Sequence, residues 1–210
     1  MLGIRRRQRG DTIIEVLFAV TVFSLIVVSA ISLMNQGTAA SQRSLELTQV
    51  RQEIDSQAEA LRFMHDSYVQ AYYAGINLAS ATGPAAEYAK VVAQAQDNYD
   101  NGIRAATKFG TQPCGTRPTG SIIVNPKTAT LSTTATYKYP DVYAKLVYTG
   151  SNLTQSQGIW VEPIRSGSSA DVNQQNTGYT DFHIRACWDG PGLKTPMNIG
   201  TIVRLYEPRG

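Results

Sequence analysis

Residues 13–33 form a run of 21 residues with one ionisable side chain, Glu15, and neither Pro nor Gly. At about 1.5 Å of rise per residue the run makes ~30 Å of helix, enough to cross a hydrocarbon core. An ordinary secretory signal has a shorter apolar centre, about 7–15 residues, with a small-residue cleavage site behind it. This run is longer, and it holds an acid. A carboxylate at the centre of an apolar span costs roughly 2.5–3.5 kcal/mol on insertion scales and less near an end, where Glu15 lies. A side chain kept at that cost is expected to meet a partner.

Upstream, Arg5, Arg6, Arg7 and Arg9 form a basic block that holds this end in the cytoplasm. Gly10, the polar pair Asp11-Thr12, two aliphatics, Glu15 and the long apolar run follow in that order. This order resembles the class III signal of type IV pilins and the related pseudopilins. The match covers about 25 of the 210 residues and combines leader charge, Gly, Glu and apolar length. The resemblance implies that a prepilin peptidase cuts after Gly10, that Asp11 becomes the new N-terminus, and that Glu15 guides assembly. In the family the first mature residue is usually Phe, Met or another apolar residue with a methylated amine. Asp11 departs from that pattern, and N-methylation of Asp11 rests on the resemblance alone. It also sets a second carboxylate one turn from Glu15 on the same helix face.

The helical pattern continues past residue 33. Asn35 and Gly37 are poor helix formers that soften or kink it, but the first Pro is Pro84. Leu47, Val50, Ile54, Ala58, Leu61, His65 and Tyr68 recur every three or four residues. Arg43, Glu46, Arg51, Glu53, Asp55 and Glu59 take the other sides, which predicts an amphipathic helix with one buried face. A helix over residues 12–70 would be about 90 Å long. Residues 71–83 end it, and Gly83-Pro84 starts a shorter helix to about Asp97, with Tyr88, Val91, Val92 and Ala95 on one side. Residues 98–120 read as a loop carrying Cys114.

From residue 121 the pattern turns to β. Strands are predicted over 121–125, 142–148, 158–163, 179–188 and 199–206, with the Thr-rich stretch 128–138 a further candidate. Over 179–188 alternation puts Phe182, Ile184, Ala186 and Trp188 on one face. Asp181, His183, Arg185 and Cys187 take the other. Short connections favour an antiparallel meander whose apolar face covers the helix stripe. The expected class is α+β: a long N-terminal helix, its front half transmembrane or filament core, packed under an antiparallel β-sheet head, as the pilin resemblance implies. The expected organisation is a basic leader (1–10), a transmembrane and assembly segment (11–34), the amphipathic half of the helix (35–70), a connecting region with a short helix (71–120) and the sheet head (121–210).

The net charge of +3 comes from 19 basic against 16 acidic residues. Removal of residues 1–10 takes four Arg and leaves 15 against 16, so the basic balance argues for no nucleic-acid partner. Cys114 and Cys187 fit one disulfide of an oxidising compartment, the alternative being two unrelated buried thiols. Two Cys and two His, all far apart, make no zinc spacing, and no cofactor is implied. No Gly-x-Ser-x-Gly turn or phosphate-binding Gly loop is present.

Other features have bland readings. His65 reads as core or subunit interface, and His183 as part of a solvated polar ladder. Tyr137, Tyr139, Tyr143 and Tyr148 with Lys138 and Lys145 could stack on single-stranded nucleic acid, but read as sheet packing. Asn152-Leu-Thr154 is formally a glycosylation sequon. Residues 166–178 read as an exposed loop.

The function expected is that of a structural subunit rather than an enzyme. It is held in the cytoplasmic membrane by one pass with its N-terminus in the cytoplasm, then polymerised into a surface filament for adhesion or motility. Expected partners are other copies and related pilins, the prepilin peptidase, the inner-membrane assembly platform, and membrane lipid before assembly. A pseudopilin of a type II secretion system shares all of this N-terminal chemistry. A signal-anchored or secreted surface domain, cut near Ala30 or Ala40, is the alternative of another class.

Overall fold

A computed structural model describes residues 11–78, 80–106, 114–167 and 178–208. The leader, including Arg5, Arg6, Arg7, Arg9 and Gly10, lies outside the described residues, as do the side chain of Asp11 and most of the predicted loop 166–178. The chain is α+β and divides into two units, residues 1–44 and 45–210.

Helix α1 spans Asp11–Tyr73 and includes both Asn35 and Gly37. Its end is set by Gly75, at φ +70. There Ile76 N–H donates to Ala71 O and Gly75 N–H to Tyr72 O, both at 3.0 Å, so two of the last carbonyls are satisfied. Helix α2, Pro84–Asp100, starts with Pro at its first turn and ends in the same way at Gly102. Ile103 N–H donates to Asn98 O and Gly102 N–H to Tyr99 O. The second helix thus runs three residues past the predicted end.

In the unit of residues 45–210 the buried face of α1 is Glu46, Val50, Ile54, Gln57, Ala58, Leu61, Met64 and Ala71. One of these corrects the sequence reading, and a second was not placed by it. Glu46 was expected on an outer side, yet it lies one turn before Val50 and is only 6 % exposed. Its carboxylate accepts the Trp188 indole N–H at 3.0 Å. Gln57 is buried as well and donates to Val124 O at 2.8 Å, which holds the helix to the first strand. Polar residues entered the stripe because each meets a specific partner.

Among the described residues the strands are β1 (Val124–Asn125), β2 (Thr130–Leu131), β3 (Thr136–Lys138), β4 (Lys145–Thr149), β5 (Asn152–Gln157), β6 (Ile159–Arg165), β7 (Tyr179–Trp188) and β8 (Met197–Tyr206). They form three sheets, not the one antiparallel head expected: β1-β2, β3-β5-β4 and β6-β7-β8. The β3–β5 pair is parallel, with Thr136 opposite Gln155. The physical reason is a sheet change at Gly158. Its N–H donates to Lys138 O at 3.0 Å, while its carbonyl accepts Cys187 N–H at 2.8 Å. One residue therefore carries the chain from the second sheet into the third.

Strands β6, β7 and β8 form a regular antiparallel sheet through Phe182↔Val203 and Pro163↔Phe182. Phe182, Ile184, Ala186 and Trp188 join the α1 stripe, Tyr88 and Val91 in one core cluster. The other face of β7 departs from the expected solvated ladder. Arg185 and Cys187 are buried, because Cys114 and Tyr137 cover that end of the sheet beside Trp160.

Candidate functional site

Every residue from 12 to 38 is exposed, a run that includes Ile13, Leu17, Phe18, Phe23, Ile26 and Leu33. The helix is long and apolar enough to cross a membrane, and none of its most apolar window is buried. A contiguous apolar surface of this extent marks a site of contact with something apolar.

The hydroxyls inside the run do not relieve that character. Thr21 Oγ1 donates to Phe18 O at 2.8 Å, Ser24 Oγ to Val20 O at 2.7 Å and Ser29 Oγ to Leu25 O at 2.7 Å. Each of these three protons is spent on the helix's own backbone three or four residues back. Ser32 is the fourth hydroxyl of the run. Glu15 remains as the one ionisable side chain of residues 13–33. It is exposed like its neighbours. The segment can therefore enter an apolar phase, with one ionisable group that calls for a cationic or hydrogen-bonding partner.

Past residue 34 the surface changes. Asn35, Gln36, Gly37 and Thr38 are exposed and polar, and Thr38 Oγ1 donates to Asn35 O at 3.0 Å. The buried stripe begins at Glu46, Leu45 before it being exposed.

Elsewhere the predicted groups have structural partners. Cys114 and Cys187 are bonded, with Cα atoms 5.4 Å apart, and both are 1 % exposed. The Tyr137 hydroxyl donates to Cys114 O at 2.6 Å, and its ring stands edge-on to Trp160 at 6.1 Å. Burial pushes the Tyr137 phenol up to about 12. Beside this group the Trp160 indole N–H donates to Glu162 Oε1 at 2.9 Å, and Arg185 Nε lies 3.2 Å from the same oxygen.

The tyrosines named in the sequence have partners within the sheet region. Lys127 sits over Tyr148 at 3.9 Å, Lys145 over Tyr143 at 5.4 Å, and the Tyr139 hydroxyl donates to Asp189. His65 Nε2 lies 2.8 Å from Tyr206 O, and its ring packs edge-on against Tyr88. His183 stands across from Glu162 on one side and Ile202 on the other. Burial first, then the Arg185 cation, holds its pKa below the usual imidazole range. Among the described residues no three His, Cys, Asp or Glu side chains gather as metal ligands.

The structure brings Cys114 to Cys187. Glu15 lies on the fully exposed segment of α1. No protein-family model matches the chain, and no curated protein or solved structure does either.

Proposed function

We propose that this chain is a subunit of a type IV pilin-like surface filament: a membrane-held precursor that is trimmed after Gly10 and polymerised through residues 11–34. The observation that carries the reading is the exposed apolar run of residues 13–33, with Glu15 as its only ionisable side chain. In the precursor the apolar surface meets lipid. In the polymer the same surface meets the same segment of other copies, and Glu15 meets the new N-terminal amine of a neighbour. The role is structural, and the reaction it undergoes is performed on it by the prepilin peptidase. The disulfide supports an export route, since such bonds persist in oxidising compartments.

Intact-mass measurement of material sheared from the cell surface tests the reading. A chain beginning at Asp11, without the Arg block, is the expected result. A chain beginning at Ile31 or Ser41 would establish a conventionally cleaved secreted protein instead.

A further inference from the structure

We propose that the concavity between the β1–β2 hairpin and the start of β5 binds a neutral, polyhydroxylated ligand, a short oligosaccharide. The cavity has a volume of about 620 Å³, inside the ~300–1,000 Å³ range of small-molecule sites. Eight of its ten lining residues are Ser, Thr or Asn, and the other two are Leu131 and Leu153. That lining selects the ligand class. A phosphate or carboxylate would find no cation among those residues, and a metal ion would find no carboxylate. A purely apolar ligand would strand the hydroxyls and amides without water. A sugar suits both parts, with its hydroxyls toward the Thr and Asn groups and its C–H surface toward the two leucines.

The walls are held before any ligand arrives. Asn125, 5 % exposed, donates from Nδ2 to Ser151 O at 2.9 Å and accepts Lys127 N–H on Oδ1 at 3.1 Å. It thereby ties the hairpin to the β4–β5 turn. On the far rim Leu131 N–H donates to Glu87 Oε2 at 2.9 Å and Ser132 N–H to Ile123 O at 2.8 Å. Ala135 N–H then donates to Ser132 Oγ at 3.2 Å. The main chain is pinned on both sides of Thr133 and Thr134. Both are exposed, and among the described residues their hydroxyls have no hydrogen-bond partner; the same holds for the Asn152 carboxamide across the cavity. Between Thr128 and Thr130, Ala129 sits at φ 50, in backbone space that favours glycine. Strain of this kind gathers at functional sites. Thr133, Thr134 and Asn152 are the contacts we assign. The inference concerns residues 125–154 alone and stands apart from filament assembly.

The test is saturation-transfer NMR on the full chain in a zwitterionic detergent, because a maltoside headgroup would itself be a ligand. Maltotriose, cellotriose and chitotriose serve as probes in turn. At least one should show saturable transfer. The isosteric Thr133→Val/Thr134→Val variant should weaken it about tenfold, with an unchanged melting temperature, and Asn152→Ala should weaken it independently. Retention of the protein by beads carrying the responding trisaccharide identifies a surface glycan as the source, whereas binding only in solution identifies a free sugar. Absence of transfer from all three probes overturns the proposal, as does a double variant that binds like the parent.

Discussion

A methyl group added at Gly158 would collide with the carbonyl oxygen of Cys187 and with the ring of Pro140, at a position already held at φ +67. The carbonyl is backbone and cannot rotate away. Gly158→Ala is therefore expected to cost at least ~2 kcal/mol, combining the penalty of a side chain at positive φ with steric displacement of β7. Urea unfolding followed by tryptophan fluorescence measures it, and a loss below experimental error would show that the sheet change tolerates a shift. Glu46 gives a second residue-scale expectation. Removing its carboxylate strands the buried Trp188 N–H, so Glu46→Ala should cost about 1–3 kcal/mol, and Glu46→Gln, which keeps an acceptor, less. Both residues were present in the sequence as ordinary symbols. The pattern of every third or fourth residue includes Glu46, but polarity argued it outward, and only the position of Trp188 reverses that.

His183 belongs to the same scale and fixes a pH dependence. Its folded pKa is depressed by burial and by Arg185, against the pull of Asp181 and Glu162. Between the folded value and the ordinary value near ~6.5, the unfolded chain binds more protons. Stability contributed by neutral His183 is thus complete above that ordinary value and declines as pH falls below it. His183→Gln should flatten the fall in urea midpoint between neutral and mildly acidic pH. Equal slopes for parent and variant would remove His183 from the account.

At the scale of elements the disulfide closes a separation of 73 residues between the segment after α2 and the end of β7. In the chain-entropy treatment a loop of that size is worth about 4 kcal/mol. The Cys114→Ser/Cys187→Ser variant should lose stability of that order, seen as a lower urea midpoint with the far-UV helix signal retained. The pairing itself was readable, since a chain with two cysteines allows one intramolecular bond. Strand β7 was readable, because Phe182, Ile184, Ala186 and Trp188 alternate with Asp181, His183 and Arg185. Strand β5 was not: Asn-Leu-Thr-Gln-Ser-Gln has no β-branched run, and it is a strand because β3 and β4 supply partners on both edges. The same tertiary cause explains the parallel β3–β5 pair. Nothing local distinguishes three small sheets from one meander when a single glycine makes the transfer.

For the whole molecule, the site was legible where physics is one-dimensional. An apolar run with one acid reads the same in sequence and in structure, and burial adds only that no part of residues 12–38 is covered. Glu15 then separates membrane insertion from polymerisation. In the bilayer a lone carboxylate is costly, whereas in the proposed filament it would meet the charged amine of a neighbouring Asp11. That pairing removes the penalty of an unsatisfied charge and favours one stagger between helices over others. Glu15→Ala or Glu15→Leu should leave insertion intact, or improve it, because the span becomes wholly apolar. Assembly should drop sharply, because the incoming amine loses its partner. Asp11 stands four residues before Glu15 in the sequence, so in the proposed filament a second carboxylate would compete for that amine. Residual assembly in Glu15→Ala that disappears in Asp11→Ala/Glu15→Ala would reveal the competition. The measurement is the ratio of sheared surface filament to membrane-held subunit for each variant. A Glu15→Ala protein that polymerises at the parental level would end the assembly role of Glu15. A Glu15→Ala protein that inserts normally and stays in the membrane is the outcome the charge argument requires.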